Sequence, residues 1–401
     1  MINCTKHYIL AVSTTFFCCL LYSSVNNSES FTSVLDKPGM SENYLAKYKD
    51  SEVKVTTINN NGVKAKCRLL NIENDAEIGD VFLLKPERGK ETIVIPIQDK
   101  SILIKWQKPV SYNESIKLFG SGQWESGVNL LRPHIYPLVR FLKLARSDFH
   151  TSVQIYLNAL LELKEWNESL VILTSIPHEK ILSGYVDLSL KILEGFLSLG
   201  RINQAMYLVQ HMSGIKNNSL EMKFANQLRE HEYFAKASSI YKNISKKSSF
   251  SNAKECQLWF YLCKLKQEIT PLLKNQIIAI SSTDQSQKEY PLGLLLQGQI
   301  AISEEQYEKA ILLLSKSIVY SNLQNSWVPE LMHTTATVYE KLGKKNAAKN
   351  IYYQIILFFK NSIWAKRSQN KLQKSGFEDL QAMNYSKFFN SSSCIFDSVT
   401  S

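Results

Sequence analysis

Leu294-Leu295-Leu296-Gln297-Gly298-Gln299-Ile300-Ala301-Ile302-Ser303-Glu304-Glu305-Gln306-Tyr307-Glu308-Lys309-Ala310 and Met332-His333-Thr334-Thr335-Ala336-Thr337-Val338-Tyr339-Glu340-Lys341-Leu342-Gly343-Lys344-Lys345-Asn346-Ala347-Ala348 are two copies of one pattern. Apolar residues recur at helical spacing, a short polar turn interrupts them, and a small residue opens a second apolar stripe. Working outward with that small residue as the marker, units fall at Gly127, Ser169, Ala205, Ala237, Leu273, Ala310 and Ala348, giving successive spacings of 42, 36, 32, 36, 37 and 38 residues. A two-helix unit of that length cannot bury its own apolar face, so it stacks on its neighbours. The expected fold is mainly α: an α-α superhelical solenoid of helix hairpins.

The two quoted units resemble the tetratricopeptide repeat, whose first helix carries a bulky residue, a small one and an aromatic, followed by a Gly turn and an Ala on the second helix. Leu294, Gly298 and Ala310 fill these roles in one unit; Ala336, Tyr339, Gly343, Ala348 and Tyr352 fill them in the other. Small residues at Gly298, Ala336, Ala310 and Ala348 let paired helices approach. Earlier units depart from the pattern. Gly200 and Ala205 keep the turn and the small residue, Glu232 replaces the turn Gly, and Pro271 with Leu273 replaces both features. The resemblance spans about residues 111 to 375.

The resemblance implies an inner face, lined by first helices, that captures a protein or peptide segment. Its groove positions fall on Asn226 and Arg229, on Gln299, and on His333, Thr337 and Lys341. The last three, four apart, share one helical face.

Before the array the period changes to two. Val53 to Ile58 alternates, Asn59-Asn60-Asn61-Gly62 supplies a turn, and Val63 to Leu70 resumes as a strand; Val81 to Leu84, Thr92 to Ile97 and Ile102 to Trp106 add three more. These five strands predict a small antiparallel barrel or curled sheet over 51–108. It is similar to the small β modules that precede helical repeats in some bacterial envelope proteins. Pro109-Val110 marks the boundary to the helices, and Arg132-Pro133-His134-Ile135-Tyr136-Pro137, with Asp148 and Phe149 further on, reads as an insertion between the first two units that explains the longest spacing.

At the N-terminus, Lys6 and His7 precede fifteen largely apolar residues from Tyr8 to Tyr22. That length suits a signal-peptide core better than a membrane span of roughly 20 residues. No A-x-A follows, so 1–25 reads as a signal peptide or an uncleaved anchor, and 26–50 as a linker with a short helix near 43–49. Residues 376–401, rich in Ser and Asn, read as a disordered tail.

The formal charge is +11, with 47 Lys and Arg of which 8 are Arg. An excess carried by Lys speaks against nucleic acid as the partner, because Arg is favoured for bidentate phosphate recognition. A nucleic-acid-binding helical repeat, suggested by the pI of 9.1, is the alternative reading. Lys341, Lys344, Lys345, Lys349, Lys360, Lys366, Arg367, Lys371 and Lys374 have no acidic residue among them after Lys341. Within that run Lys366, Arg367 and Lys371 are candidates to contact an anionic membrane or envelope polymer, a solvated helix surface being the plainer account.

No phosphate-binding loop, H-E-x-x-H or G-x-S-x-G is present, and no nucleophile, base and orienting group fall together. Cys67, Cys256, Cys263 and Cys394 lack zinc spacing; Cys256 and Cys263, about 10.5 Å apart along one helix, read as core residues. The sequence therefore predicts an exported, non-catalytic interaction scaffold of the bacterial cell envelope, working without cofactor or metal.

Overall fold

The computed structural model describes residues 47–48 and 51–374, apart from 90, 145, 179–180, 182, 248 and 282–283. The leader, most of the linker with its short helix, and the tail fall outside the described residues. The protein is mainly α, with a small antiparallel sheet ahead of the helices. It divides into two compact units, one ending at Phe224 and the next beginning at Ala225.

The first unit opens with β1 (Val53–Asn59), β2 (Lys64–Asp75), β3 (Gly79–Pro86), β4 (Ile93–Pro96) and β5 (Ile102–Trp106). All pairings are antiparallel, in the order β4-β3-β2-β1-β5. Alternation puts Val53, Val55, Cys67, Leu69, Ile104 and Trp106 on the buried face. At the first turn Asn59 accepts the Asn61 and Val63 amides through its own Oδ1, while Gly62 adopts φ 77°. The β2–β3 hairpin extends further than its hydrophobic run: Asp75 Oδ1 accepts the amides of Glu77 and Ile78, fixing a second Asx turn.

Among the described residues, seven hairpins follow. Those of the first unit are α1 (Val110–Gly120) with α2 (Trp124–Val139), α3 (Phe149–Glu162) with α4 (Trp166–Thr174), and α5 (Ser183–Ser198) with α6 (Ile202–Ser213). The fourth pairs α7 (Asn218–Glu230), in which the first unit ends, with α8 (Phe234–Ser245). Then come α9 (Ala253–Gln267) with α10 (Pro271–Ser281), α11 (Tyr290–Ser303) with α12 (Tyr307–Tyr320), α13 (Val328–Lys341) with α14 (Lys345–Phe358), and a final α15 (Ile363–Lys374).

Six of these hairpins close through one and the same turn. Gly122, Lys164, Gly200, Glu232, Glu305 and Gly343 each lie two residues past the first helix, with φ between 58° and 77°. Each donates its amide to the carbonyl three residues back at 2.9–3.1 Å, and the next residue donates to the carbonyl five back at 2.8–2.9 Å. That is the Schellman motif, which satisfies two of the carbonyls a helix end leaves over. The residue after it adopts φ near −80° and ψ between 55° and 67°, an inverse γ-turn that launches the second helix. In the fifth hairpin Glu268 is extended instead, and Thr270 Oγ1 caps the helix begun by Pro271 by accepting the Leu273 amide.

Gly127, Ser169, Ala205, Ala237, Ala310 and Ala348 are the fourth residues of their second helices, and all six are buried. The reason for small size is contact. A Cβ on Gly127 would lie 2.4 Å from the Phe119 ring of α1, and one on Gly298 would lie 2.8 Å from Leu314 of α12. Leu273, in the aberrant hairpin, is half-buried.

The insertion expected between the first two units lies there, but it begins after the prolines rather than at Arg132. Both Pro133 and Pro137 lie inside α2, and the long first spacing comes from 140–148 beyond it. Residues 146–148 lie along β5. Ile104 donates to the Arg146 carbonyl, Asp148 donates to the Ile104 carbonyl, and Asp148 Oδ1 accepts the Trp106 amide at 2.8 Å. An edge strand that would otherwise expose its amides is thereby covered.

Candidate functional site

In the second unit, the first helices α9, α11 and α13, with the end of α7, carry the positions expected to line a groove. Each hairpin turn fixes where its first helix ends, and so which side chains meet. At the centre stands Arg229, 2% exposed, ion-paired with Glu330, itself 6% exposed. Its guanidinium lies 3.8 Å from the Trp259 ring centroid, and its Nε donates to the Tyr241 hydroxyl at 3.3 Å. That hydroxyl donates in turn to Asn226 Oδ1 at 2.5 Å, and burial holds its pKa well above the usual tyrosine range.

Gln299, 6% exposed, accepts from Lys266 Nζ at 2.7 Å and reaches Thr334 at 3.5 Å, so it ties α9 and α11 to α13. Burial lowers the Lys266 pKa, with Glu232 opposing. His333 packs between the rings of Tyr352 and Trp364, at centroid distances of 5.4 and 5.1 Å. Its Nε2 has no hydrogen-bond partner among the described residues. Burial, followed by the charges of Arg367 and Lys371, pushes its pKa down to about 4. Thr337 Oγ1 donates to the His333 carbonyl at 3.0 Å, and Lys341, one turn on, is exposed.

The six positions expected to line a groove thus differ in character. Arg229 and Gln299 are interior groups bonded within the chain. Asn226, His333 and Thr337 are half-buried, and only Lys341 stands in solvent. The basic end divides likewise. Lys366 is exposed, whereas Lys371 pairs with Glu340 at 3.0 Å and Arg367 stands 3.0 Å from Glu232 Oε1.

Sequence reasoning missed a second buried network, in the first unit. Arg132 donates to both Glu168 oxygens, from Nε at 3.0 Å and Nη2 at 2.9 Å, while Tyr136 and Tyr156 donate to Glu168 Oε1 at 2.9 and 2.5 Å. Four donated bonds compensate a carboxylate that burial alone would penalise. Burial first, and then the Glu168 charge, raise the Tyr156 pKa. The available signal was Arg itself, scarce here and suited to such bidentate pairing. Tyr136 also lines a groove of about 350 Å³ with Tyr48, Ile72, Val139, Arg140, Lys143 and Ser175.

Among the described residues no three potential metal ligands converge, and no helix is long and apolar enough to cross a membrane. Cys256 and Cys263 are buried free thiols, each with its pKa pushed up to about 12 by burial. No family model matches this chain, and no curated protein does.

Proposed function

We propose that the protein is an interaction scaffold built from tetratricopeptide-like hairpins, which binds a protein or peptide segment through the inner face of its first helices and performs no turnover. The observation that carries this reading is the sixfold recurrence of one Schellman turn followed, five residues on, by one buried small residue. Within each unit, hairpins that share this turn share one local geometry, and stacked hairpins of common geometry are what solenoids use for binding.

The apolar run Tyr8–Tyr22 after Lys6 supports export, to the periplasm or envelope of a bacterium, by a cleaved signal or a retained anchor. Exposed Lys341, Lys344, Lys345, Lys360, Lys366 and Lys374 support secondary contact of the C-terminal end with an anionic membrane or polymer. Lys371 and Arg367 contribute less to such contact, because Glu340 and Glu232 already oppose their charge.

Fractionation of the tagged full-length protein, with mass spectrometry of its mature N-terminus, tests the exported part of this reading. An extracytoplasmic species beginning near Ser24 to Ser30, or a membrane-retained species with Met1 intact, is the expected result. An intact chain free in the cytosol would overturn it.

A further inference from the structure

In an open repeat array each unit touches only its neighbours. The second unit departs from this. Arg229 of α7 is ion-paired with Glu330 of α13, past two intervening hairpins. Arg367 of α15 donates through Nη2 to the Glu230 carbonyl at 2.8 Å, across 137 residues of sequence, and the same nitrogen lies 3.0 Å from Glu232 Oε1.

The seat that receives Arg367 has a definite chemistry. Glu230 ends α7, so its carbonyl is among the last four that have no intrahelical donor, at the negative end of the helix dipole. Glu232 occupies the left-handed turn position just beyond and adds a carboxylate. A guanidinium suits that pair, being able to donate several bonds in one plane. On its other side Arg367 lies 4.5 Å from the Trp364 ring centroid, and Trp364 packs on His333 of α13. Lys371, one turn further along α15, is fixed to Glu340 at the end of α13. One helix therefore grips both the seventh hairpin and the fourth.

We propose that α15 is a strap. By seating Arg367 on the end of α7 it secures, beside the buried Arg229–Glu330 pair, the closed arrangement of the fourth and seventh hairpins, and its release is what admits a partner. This rests on the reading of the inner face as the binding surface. The partner that displaces the strap carries an arginine of its own, because the seat is built from a helix-end carbonyl and a carboxylate and is filled in cis by a guanidinium.

Hydrogen exchange on the full chain tests the strap, using Arg367→Glu, Glu232→Arg and the double variant that swaps the two charges. In an open array a change at 367 leaves the fourth hairpin untouched. The strap predicts that amides of 227–236 exchange about ten-fold faster in each single variant and regain protection in the double, with α12 unchanged throughout. Unchanged exchange in the single variants would overturn the strap, as would a loss of protection that the double variant fails to restore. A fluorescein-labelled peptide of residues 361–374 supplies the second readout. It is expected to bind Arg367→Glu, whose seat is intact and vacated, and to bind neither the wild type nor Glu232→Arg. If exchange responds as predicted but the peptide does not bind the opened chain, the strap stands and the inner-face binding reading fails.

Discussion

Arg229 shows at the scale of one residue how this chain uses its few arginines. Seven of the eight reach another part of the chain: Arg68 to Glu52, Arg132 to Glu168, Arg140 to the Ser51 carbonyl, Arg146 to the Lys100 carbonyl, Arg201 to Asn167, Arg229 to Glu330 and Arg367 to Glu232. Lysine carries the solvated charge, and arginine is placed where a fork of donors must satisfy a fixed acceptor. Truncating Arg229 to Ala would strand Glu330 as a buried unpaired charge, and a loss of about 3–5 kcal/mol in urea unfolding is expected. Replacing both by apolar residues, Arg229→Met with Glu330→Leu, should recover most of that loss; a double variant as unstable as the single would contradict the pairing. His333 adds a pH dependence. Its folded pKa of about 4 lies below the ordinary 6.5, so the unfolded state binds the proton that the folded state refuses. The His333 contribution is complete above 6.5 and is lost as the pH falls from about 6.5 towards about 4. The unfolding midpoint of His333→Phe should change less over that window than that of the wild type, and parallel curves would remove the assignment.

At the scale of the element, the hairpin turn is the unit of repetition. Three of the six left-handed positions are Gly, and the other three are Lys164, Glu232 and Glu305. A side chain there strains the backbone by about 1 kcal/mol. Lys164→Gly and Glu305→Gly, both at exposed positions, should therefore each stabilise the protein by up to about 1 kcal/mol. Gly200→Ala should destabilise it by a similar amount through φ alone, since a Cβ at Gly200 would meet nothing within 4 Å. Thermal midpoints that move in the opposite directions would contradict the turn geometry. These elements were largely legible in the sequence. The markers Gly127, Ser169, Ala205, Ala237, Ala310 and Ala348 stand at one position of every second helix except the fifth, where Pro271 imposes a different start. What was not legible lay where no apolar period marks the element. Pro133 and Pro137, read as part of an insertion, lie within α2, and the second Asx turn at Asp75 sits in a polar stretch.

For the whole molecule, the resemblance assigned groove positions but not their fate. Nothing in the spacing of Arg229, Gln299 and His333 tells that hairpins three apart in sequence meet, because the spacing fixes each helix face and not the curvature that accumulates over several units. Hence Arg229 and Gln299, read as groove residues, are interior groups, while Lys341 keeps its solvent exposure. Site-specific photocrosslinking in living cells tests the scaffold and its inner face together, with the photoreactive residue placed at Lys341 and, as an outer-helix control, at exposed Lys309 of α12. A discrete adduct is expected at Lys341, stronger when Arg367→Glu opens the strap, and none at Lys309. Equal labelling at both positions, or an adduct at Lys341 that weakens on opening, would contradict the inner-face reading.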